Sequence, residues 1–145
     1  RQGSGGAGFN RGGEGVDRRM RFLEPMTVNI IAGHRIVPPY GVAGGKPGAI
    51  GENYVIHPDQ KVTKLSTKGQ IEVKKDDIFV LKTPGGGGYG SPLDRDPEQV
   101  LEDVRNGKVS KKYAKSSYKV VLNAQGTAVN IDATNKLRQE SRGGK

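Results

Sequence analysis

The hydrophobic positions in the first two thirds of the chain follow the pattern of short β-strands. Met26, Val28 and Ile30 alternate with polar residues, which is typical of a strand with one buried face. Further apolar runs of strand length lie at residues 54–56, 62–65, 70–73 and 77–83. We expect the runs at 62–65 and 70–73 to form a hairpin, because a glycine-containing segment, 67–69, lies between them.

The last third of the chain changes to the pattern of short helices. Asp96 is a suitable N-cap, Pro97 favours the first helical position, and Gly107 can end the helix in a left-handed conformation. Ser110 can cap a second helix that ends at Tyr118. The remaining predicted elements are a strand at 120–122 paired with 128–131 and a third helix over 133–142, capped by Asp132.

Together these elements predict an α+β fold. We expect residues 1–95 to form a β-rich body with glycine loops, and residues 96–145 to form a helical, basic C-terminal extension of the same compact unit. The glycine-rich start, residues 1–21, also carries arginines and runs directly into an apolar segment. It therefore resembles an ordered glycine loop more than a flexible tether.

The composition indicates a small core. Only 32% of the 145 residues are hydrophobic, 23 are glycine, and Trp and Cys are absent. Glycine has no side chain to bury and costs chain entropy on folding, so we expect burial against a partner to supply part of the stability. The absence of Cys excludes disulfides and thiolate metal sites and suits a cytoplasmic protein.

The ends and apolar runs of the chain give no targeting signal. No apolar run approaches the roughly 20 residues that span a bilayer, so we expect no membrane contact. The start at Arg1–Ser4 does not resemble a signal peptide and lacks an initiator Met. We therefore expect the chain to begin inside a longer protein.

The net charge of +9 is concentrated at the C-terminal end. Residues 105–145 carry 10 Lys and Arg against 2 Asp and Glu, whereas residues 1–104 are almost neutral. This predicts an acidic partner surface or a polyanion near that end, with a solvated helical face as an equal alternative. A nucleic-acid-binding module is disfavoured, because the aromatic fraction is 6% and no Arg-Gly-Gly repeat is present.

Glycine motifs in a fixed order carry a family resemblance. The first group comprises Gly3–Gly8, Arg11–Val16, Arg18, Phe22, Pro25–Met26, Arg35, Pro39–Gly45, Gly48, Gly51 and Asn53. The second comprises Thr83–Gly90, Pro92–Leu93, Arg95–Glu98, Val100, Asp103–Val104, Gly107, Val109–Ser110, Ala114 and Tyr118. In order and spacing they resemble the C-terminal portion of the hydantoinase B/oxoprolinase family, over nearly the whole chain.

The resemblance implies a role in a multi-subunit enzyme. Members work with large hydantoinase-A-like partners that bind ATP, so we expect ATP and a divalent metal in partner subunits and no cofactor in this chain. The size suits the small subunit of a biotin-independent, ATP-dependent ketone carboxylase of the acetophenone carboxylase type, packed on a large hydantoinase-B-like subunit. The alternative is a component of an ATP-dependent N-methylhydantoinase or 5-oxoprolinase. No residue of this chain distinguishes the hydrolase from the carboxylase.

Four positions depart from the family pattern. Ser91 stands where an Asp commonly follows the glycine–tyrosine–glycine motif, and Gly33–His34 replaces a more usual Ser–Glu. Lys119 replaces a Gly after Tyr118. Roles that relatives assign to these positions do not carry over directly.

The glycine run and the arginines are the candidate binding groups. Consecutive N–H groups at Gly85, Gly86, Gly87, Gly88 and Tyr89 can form an anion nest, but the run lacks a P-loop ending. We therefore favour a close-packed structural turn.

Arg11, Arg18 and Arg35 can pair with carboxylate or phosphate, and we favour ion pairs at a subunit interface over substrate contact. His34 and His57 are candidate acid–base groups or metal ligands, but no ligand cluster accompanies them, so we expect surface histidines and no metal site.

Overall fold

The structure is a computed structural model, and it describes residues 1–143. Two antiparallel sheets and three short helices confirm the α+β prediction. The first sheet has the order β1 (Asp17–Arg21), β6 (Ile78–Lys82), β3 (Glu52–Ile56) and β4 (Val62–Leu65). The second sheet pairs β2 (Met26–Ile31) with β5 (Lys68–Val73). The helices are α1 (Pro97–Arg105), α2 (Lys111–Tyr118) and α3 (Ile131–Gly143).

The predicted hairpin between β4 and β5 is wrong. The two strands follow each other closely in sequence, but β4 pairs with β3 and β5 pairs with β2, in different sheets. In the second sheet Val28 lies opposite Ile71 and Met26 opposite Val73, so apolar positions of β2 and β5 match. Cross-strand apolar pairs stabilise a sheet, and this match outweighs the short connection between β4 and β5.

The hydrophobic residues form two cores. Ile30, Val55, Val73 and Phe79 lie in a core that both sheets share. The second core contains residues of the helices, the segment after α2 and Ala7 from the N-terminal segment: Ala7, Val100, Val109, Ala114, Tyr118 and Val120. The N-terminal segment is therefore held by the C-terminal helices.

The first two helices begin and end as expected. The Asp96 side chain accepts a hydrogen bond from the Glu98 N–H, and the Ser110 side chain accepts one from the Tyr113 N–H. Gly107 has a φ of +69°, the left-handed conformation predicted for it. No helix within residues 1–143 is both long enough and apolar enough to cross a bilayer.

The segment before α3 differs from the prediction. The cap is Asn130, whose side-chain oxygen accepts a hydrogen bond from the Ala133 N–H, and the helix already includes Asp132. The predicted strand pair is reduced to an isolated bridge between Leu122 and Val129. The Val121 N–H, which a ladder would have used, donates instead to the Thr134 hydroxyl.

Glycine-rich segments form a layer of closely packed backbone outside the sheets. We call residues 4–15, 39–49 and 83–90 the glycine layer. Hydrogen bonds link the three segments: the Gly6 N–H donates to the Gly86 carbonyl over 2.8 Å, and the Lys46 N–H donates to the Ala7 carbonyl over 2.7 Å. At most of its glycines a Cβ atom would lie under 3.0 Å from backbone atoms of another segment: Gly6, Gly8, Gly12, Gly15, Gly45, Gly48, Gly85, Gly87 and Gly88. The glycines are therefore required for space, and the expectation of ordered glycine loops is confirmed.

Candidate functional site

The run Gly85–Tyr89 lies inside the glycine layer, and most of its N–H groups are already used. Gly85, Gly86 and Gly88 donate to carbonyl oxygens of the neighbouring segments, and Tyr89 donates to the Asn10 carbonyl. An anion nest needs such donors to point at a ligand, so this geometry does not form one. The expected tight turn is also wrong, because residues 85–89 contain no hydrogen-bonded turn and no bend. The run is an extended segment, and only the expected close packing is present.

Arg11 is paired inside the chain. Its guanidinium forms an ion pair with Glu14, and its Nε atom lies 3.9 Å from the Asp103 carboxylate. Asp103 also accepts a hydrogen bond of 2.9 Å from Arg95. Glu14 in turn accepts hydrogen bonds from the Ser4 N–H and hydroxyl. These contacts connect the glycine layer to α1 and neutralise the charge of Arg11 within the molecule.

Arg18 is placed differently, on the exposed edge strand of the first sheet. It lies in β1 opposite Leu81, and its side chain forms no ion pair or hydrogen bond with residues 1–143. Its guanidinium is therefore available to a partner, and the expected interface role stays a prediction.

Arg35 meets two residues that are distant in sequence. Its Nε and Nη2 atoms donate to the Asn53 side-chain oxygen over 3.1 and 2.9 Å, and its Nη1 atom donates to the Gly33 carbonyl over 2.6 Å. A Cβ atom on Gly51 would lie 2.3 Å from the same Nη1 atom. Gly51 is therefore required for Arg35 to occupy this position, and Asn53 orients the guanidinium.

Arg35, Gly51 and Asn53 line a cavity of about 560 Å³, which we call the Arg35 cavity. The other lining residues are Ile50, Glu52, Tyr54, Ile56, Val62 and Lys64. Burial, together with the positive charge of Arg1, lowers the pKa of Arg35 from its ordinary value. Arginine remains charged at neutral pH even so, which makes this site suited to binding a carboxylate or a polarised carbonyl rather than to proton transfer.

His34 is exposed and shapes the turn that precedes Arg35. Its φ is +54°, which is uncommon for a residue with a side chain, and its Nδ1 atom lies 3.0 Å from the Val37 carbonyl oxygen. The structure thus brings together Arg35 with Gly51 and Asn53, and places His34 beside them. Arg11, Arg18 and the run Gly85–Tyr89 lie elsewhere in the fold.

His57 is not the plain surface histidine that the sequence suggested. Its Nδ1 atom lies 2.8 Å from the Asp77 carboxylate, and its Nε2 atom lies 2.9 Å from the Thr63 hydroxyl. The backbone N–H of Lys74 donates to the same carboxylate over 2.8 Å. That hydrogen bond, and a smaller contribution from His57, lower the pKa of Asp77, although burial acts in the opposite direction.

The contact between His57 and Asp77 could have been predicted from the sequence only if the pairing of β3 with β6 had been known. His57 follows the last residue of β3, and Asp77 precedes the first residue of β6, which pairs with β3 antiparallel. Antiparallel pairing brings the end of one strand to the start of the other. Within residues 1–143 no group of three or more His, Asp or Glu side chains has the geometry of a metal site.

Sequence comparison finds relatives that are much longer than this chain. The family model of hydantoinase B/oxoprolinase matches residues 1–92. An uncharacterized protein of Methanocaldococcus jannaschii is 43% identical over 140 residues, which cover 95% of this chain and 25% of the relative. The 5-oxoprolinase 1 of Arabidopsis thaliana is 40% identical over 93 residues, 64% of this chain and 7% of that protein. One subunit of a putative D-/L-hydantoinase from a Pseudomonas species is 31% identical over 134 residues, 89% of this chain and 22% of that protein.

Solved structures contain the same fold as part of larger chains. An ATP-dependent caprolactamase from Pseudomonas jessenii aligns with a TM-score of 0.77 and 28% identity, over 95% of this chain and 24% of its own. A nucleotide-free acetone carboxylase aligns with a TM-score of 0.77 over 98% of this chain and 24% of its own, and at 23% identity it supports the fold alone. This chain thus spans about a quarter or less of these proteins. On the match over residues 1–92 of 145, the chain belongs to the hydantoinase B/oxoprolinase family.

Proposed function

We propose that this chain is a component of a larger ATP-dependent enzyme, in which it packs on a large hydantoinase-B-like part and completes its structure or its active site. The observation that carries the proposal is a set of exposed apolar side chains on the glycine layer. Phe9, Tyr40, Val42 and Tyr89 are 50%, 79%, 47% and 56% exposed. Such side chains gain free energy when a partner covers them.

The backbone beneath these residues makes them a preformed binding surface. Tyr89 forms isolated β-bridges with both Asn10 and Val42, so the segments that carry the side chains are directly hydrogen-bonded to each other. A surface that is already ordered loses little conformational entropy on binding. The partner that suits it is the remainder of the hydantoinase-B-like structure, since this chain matches only about a quarter of its relatives.

The relatives support ring opening of a cyclic amide as the first candidate reaction. Three of them are named as a 5-oxoprolinase, a D-/L-hydantoinase and a caprolactamase, and the substrates in these names are all cyclic amides. Biotin-independent carboxylation of a ketone, of the acetophenone carboxylase type, is the second candidate, supported by the fold shared with acetone carboxylase. Both reactions would use ATP.

In this assembly ATP and a divalent metal would lie in a hydantoinase-A-like partner. The described residues support this division, because the glycine run uses its N–H groups inside the layer. The Arg35 cavity is the part of this chain best suited to contact a substrate carboxylate or carbonyl. We propose a cytoplasmic location, which the absence of Cys suits.

Native mass spectrometry of the assembly purified from its source tests the proposal. We expect the chain to co-migrate with large subunits and to remain bound in high salt, because apolar burial is insensitive to screening. Replacing Phe9 and Tyr89 together by Ser should release it. The matched control is Ile131→Ser on α3, which removes an apolar side chain that is likewise 50% exposed. A chain that migrates alone under all conditions would contradict the proposal.

An activity assay distinguishes the two candidate reactions. Preparations with and without this chain would be supplied with ATP and one of two substrate classes. The first class is a cyclic amide, namely 5-oxoproline, hydantoin or caprolactam. The second is bicarbonate together with a ketone, either acetone or acetophenone. Chain-dependent consumption of a cyclic amide supports the first candidate, and bicarbonate-dependent loss of the ketone supports the second. Consumption of neither class in the complete assembly refutes both.

A further inference from the structure

Two cavities lie beside α2, away from the Arg35 cavity, and share two lining residues. The first, the lysine cavity, has a volume of about 550 Å³, and the second, the hydroxyl cavity, has a volume of about 460 Å³. Ser116 and Lys119 line both of them.

Ammonium and hydroxyl groups line the two cavities, and no carboxylate does. The polar residues of the hydroxyl cavity are Lys46, Ser91, Ser116, Ser117, Lys119 and Ser141. The lysine cavity combines Lys111, Lys112, Lys115 and Lys119 with the apolar residues Val120–Leu122 and Leu137. Within residues 1–143 the lysines that form ion pairs are Lys61 and Lys82, so the positive charge of these cavities is not neutralised by the chain itself.

Lys119 adopts a backbone conformation that disfavours a side chain. Its φ of 55° and ψ of 34° are left-handed, and its N–H donates to the Ala114 carbonyl to end α2. A glycine would hold this conformation without strain. Strained residues persist where the surroundings or the function require them, and this one lines both cavities.

The charges of α2 are also arranged against its stability. Lys111 and Lys112 lie in the first turn, where the helix dipole favours acidic residues, and no acidic residue is present there. Lys115 follows Lys111 by four positions, a spacing at which like charges repel. A solvated helix face would account for these exposed lysines. It would not account for a lysine, rather than a glycine, at this left-handed helix end, where the residue lines both cavities.

We propose that the two cavities together bind a small organic phosphate. The phosphate group would lie in the hydroxyl cavity, where Lys46 and Lys119 supply ammonium groups and Ser91 and Ser117 supply hydroxyl donors. The hydroxyls of Ser116 and Ser141 already donate to the Tyr113 and Leu137 carbonyls. The apolar part would lie in the lysine cavity against Val120–Leu122. Phosphate is favoured over a carboxylate because it has more acceptor oxygens for this many donors.

Isothermal titration calorimetry of the full chain tests the site, with phenyl phosphate as the probe. Inorganic phosphate and phenol supply the two halves of the probe separately. We expect saturable binding of phenyl phosphate below about 1 mM, weaker binding of inorganic phosphate, and no measurable binding of phenol. Equal affinities for phenyl phosphate and inorganic phosphate would overturn the role of the apolar half, and no saturable binding of either would overturn the site.

Two variants of Lys119 separate a binding role from a structural one. Lys119→Gly relieves the strained backbone, so we expect its melting temperature to rise while its affinity falls about tenfold or more. Lys119→Gln keeps the strain, and we expect a similar loss of affinity with an unchanged melting temperature. The control Lys61→Gln removes an equal charge elsewhere and should change the affinity by less than about twofold. If the Lys119 variants bind as the control does, Lys119 acts only as a helix cap and the proposal is wrong.

Discussion

Replacing Gly87 by Ala tests whether the glycine layer is as closely packed as the structure indicates. A Cβ atom on Gly87 would lie 1.8 Å from the Tyr40 carbonyl oxygen and 2.5 Å from the Tyr40 carbonyl carbon. Carbon and oxygen atoms in contact are normally about 3.3 Å apart, so the two segments must separate by about 1.5 Å. Neither obstacle is the end of a flexible side chain, so the backbone itself must move.

The separation breaks hydrogen bonds beside the new side chain. The Val42 N–H donates to the Gly88 carbonyl over 2.9 Å, and the Gly88 N–H donates to the Lys46 carbonyl over 2.9 Å. A shift of about 1.5 Å lengthens such bonds beyond the normal range, at a cost of about 1 kcal/mol each. Overpacking adds about 1–3 kcal/mol. We therefore expect Gly87→Ala to lower the free energy of unfolding by about 3–5 kcal/mol, out of a total of about 5–15 kcal/mol.

The matched control is Gly13→Ala in the same layer. A Cβ atom on Gly13 would meet no atom within 4 Å, and its φ is not in the left-handed region. This substitution should raise the free energy of unfolding by about 0.5 kcal/mol through the lower entropy of the unfolded chain.

Urea denaturation followed by circular dichroism gives both values, and a thermal scan should show a loss of about 10 °C or more for Gly87→Ala. Equal denaturation midpoints for the two variants would refute the close packing of the layer.

Three further predictions concern buried polar groups. Tyr118 is buried with no hydrogen-bond partner for its hydroxyl within the described chain, and burial raises its pKa to about 12, so Tyr118→Phe should raise the free energy of unfolding by about 1 kcal/mol in urea titrations. A loss of similar size would mean that the hydroxyl has a partner after all. Asp103→Ala removes the carboxylate between Arg11 and Arg95 and should cost about 3 kcal/mol in the same assay, and a cost below about 1 kcal/mol would contradict a buried ion pair. Because the pKa of Asp77 is lowered in the folded chain, its ionised carboxylate stabilises the fold at pH values above its unfolded pKa of about 3.9. This contribution is lost as the pH falls through the folded pKa. Thermal scans between pH 2 and pH 6 should therefore show a smaller acid-induced loss for Asp77→Asn than for the unchanged chain, and identical pH profiles would refute the assignment.

Local sequence signals predicted the elements better than their arrangement. The caps at Asp96 and Ser110 and the left-handed Gly107 were predictable, because each depends on one residue and its immediate neighbours. The separation of β4 from β5 was not, because it depends on which apolar strand faces meet in the folded chain. The cap of α3 moved from Asp132 to Asn130 for a similar reason, since the Thr134 side chain inside the helix binds the segment that precedes it.

The candidate site could be predicted only in part. Arg35 was a candidate from the sequence, but its contact with Asn53 and the space left by Gly51 depend on the packing of β3 against the preceding loop. The contact between Arg11 and Asp103 could not be predicted, because the two residues lie 92 positions apart in sequence. The ion pair of Arg11 with Glu14, only three positions away, was overlooked. The left-handed backbone of Lys119 also lacks any signal in the pattern of apolar residues.

The glycine layer also bears on how rigid a segment with this composition can be. Residues 4–15 and 83–90 have the composition of a flexible linker and contain no helix and no strand. Yet many of their amide groups donate to carbonyls of another segment, among them those of Gly6, Asn10, Gly85, Gly86 and Gly88. The segments cannot separate singly, because each fills the space left by the others. We therefore expect these amides to exchange with deuterium as slowly as those of a central strand, opening only when the whole unit unfolds. Slow exchange here would mean that glycine content by itself is a poor guide to mobility in this family.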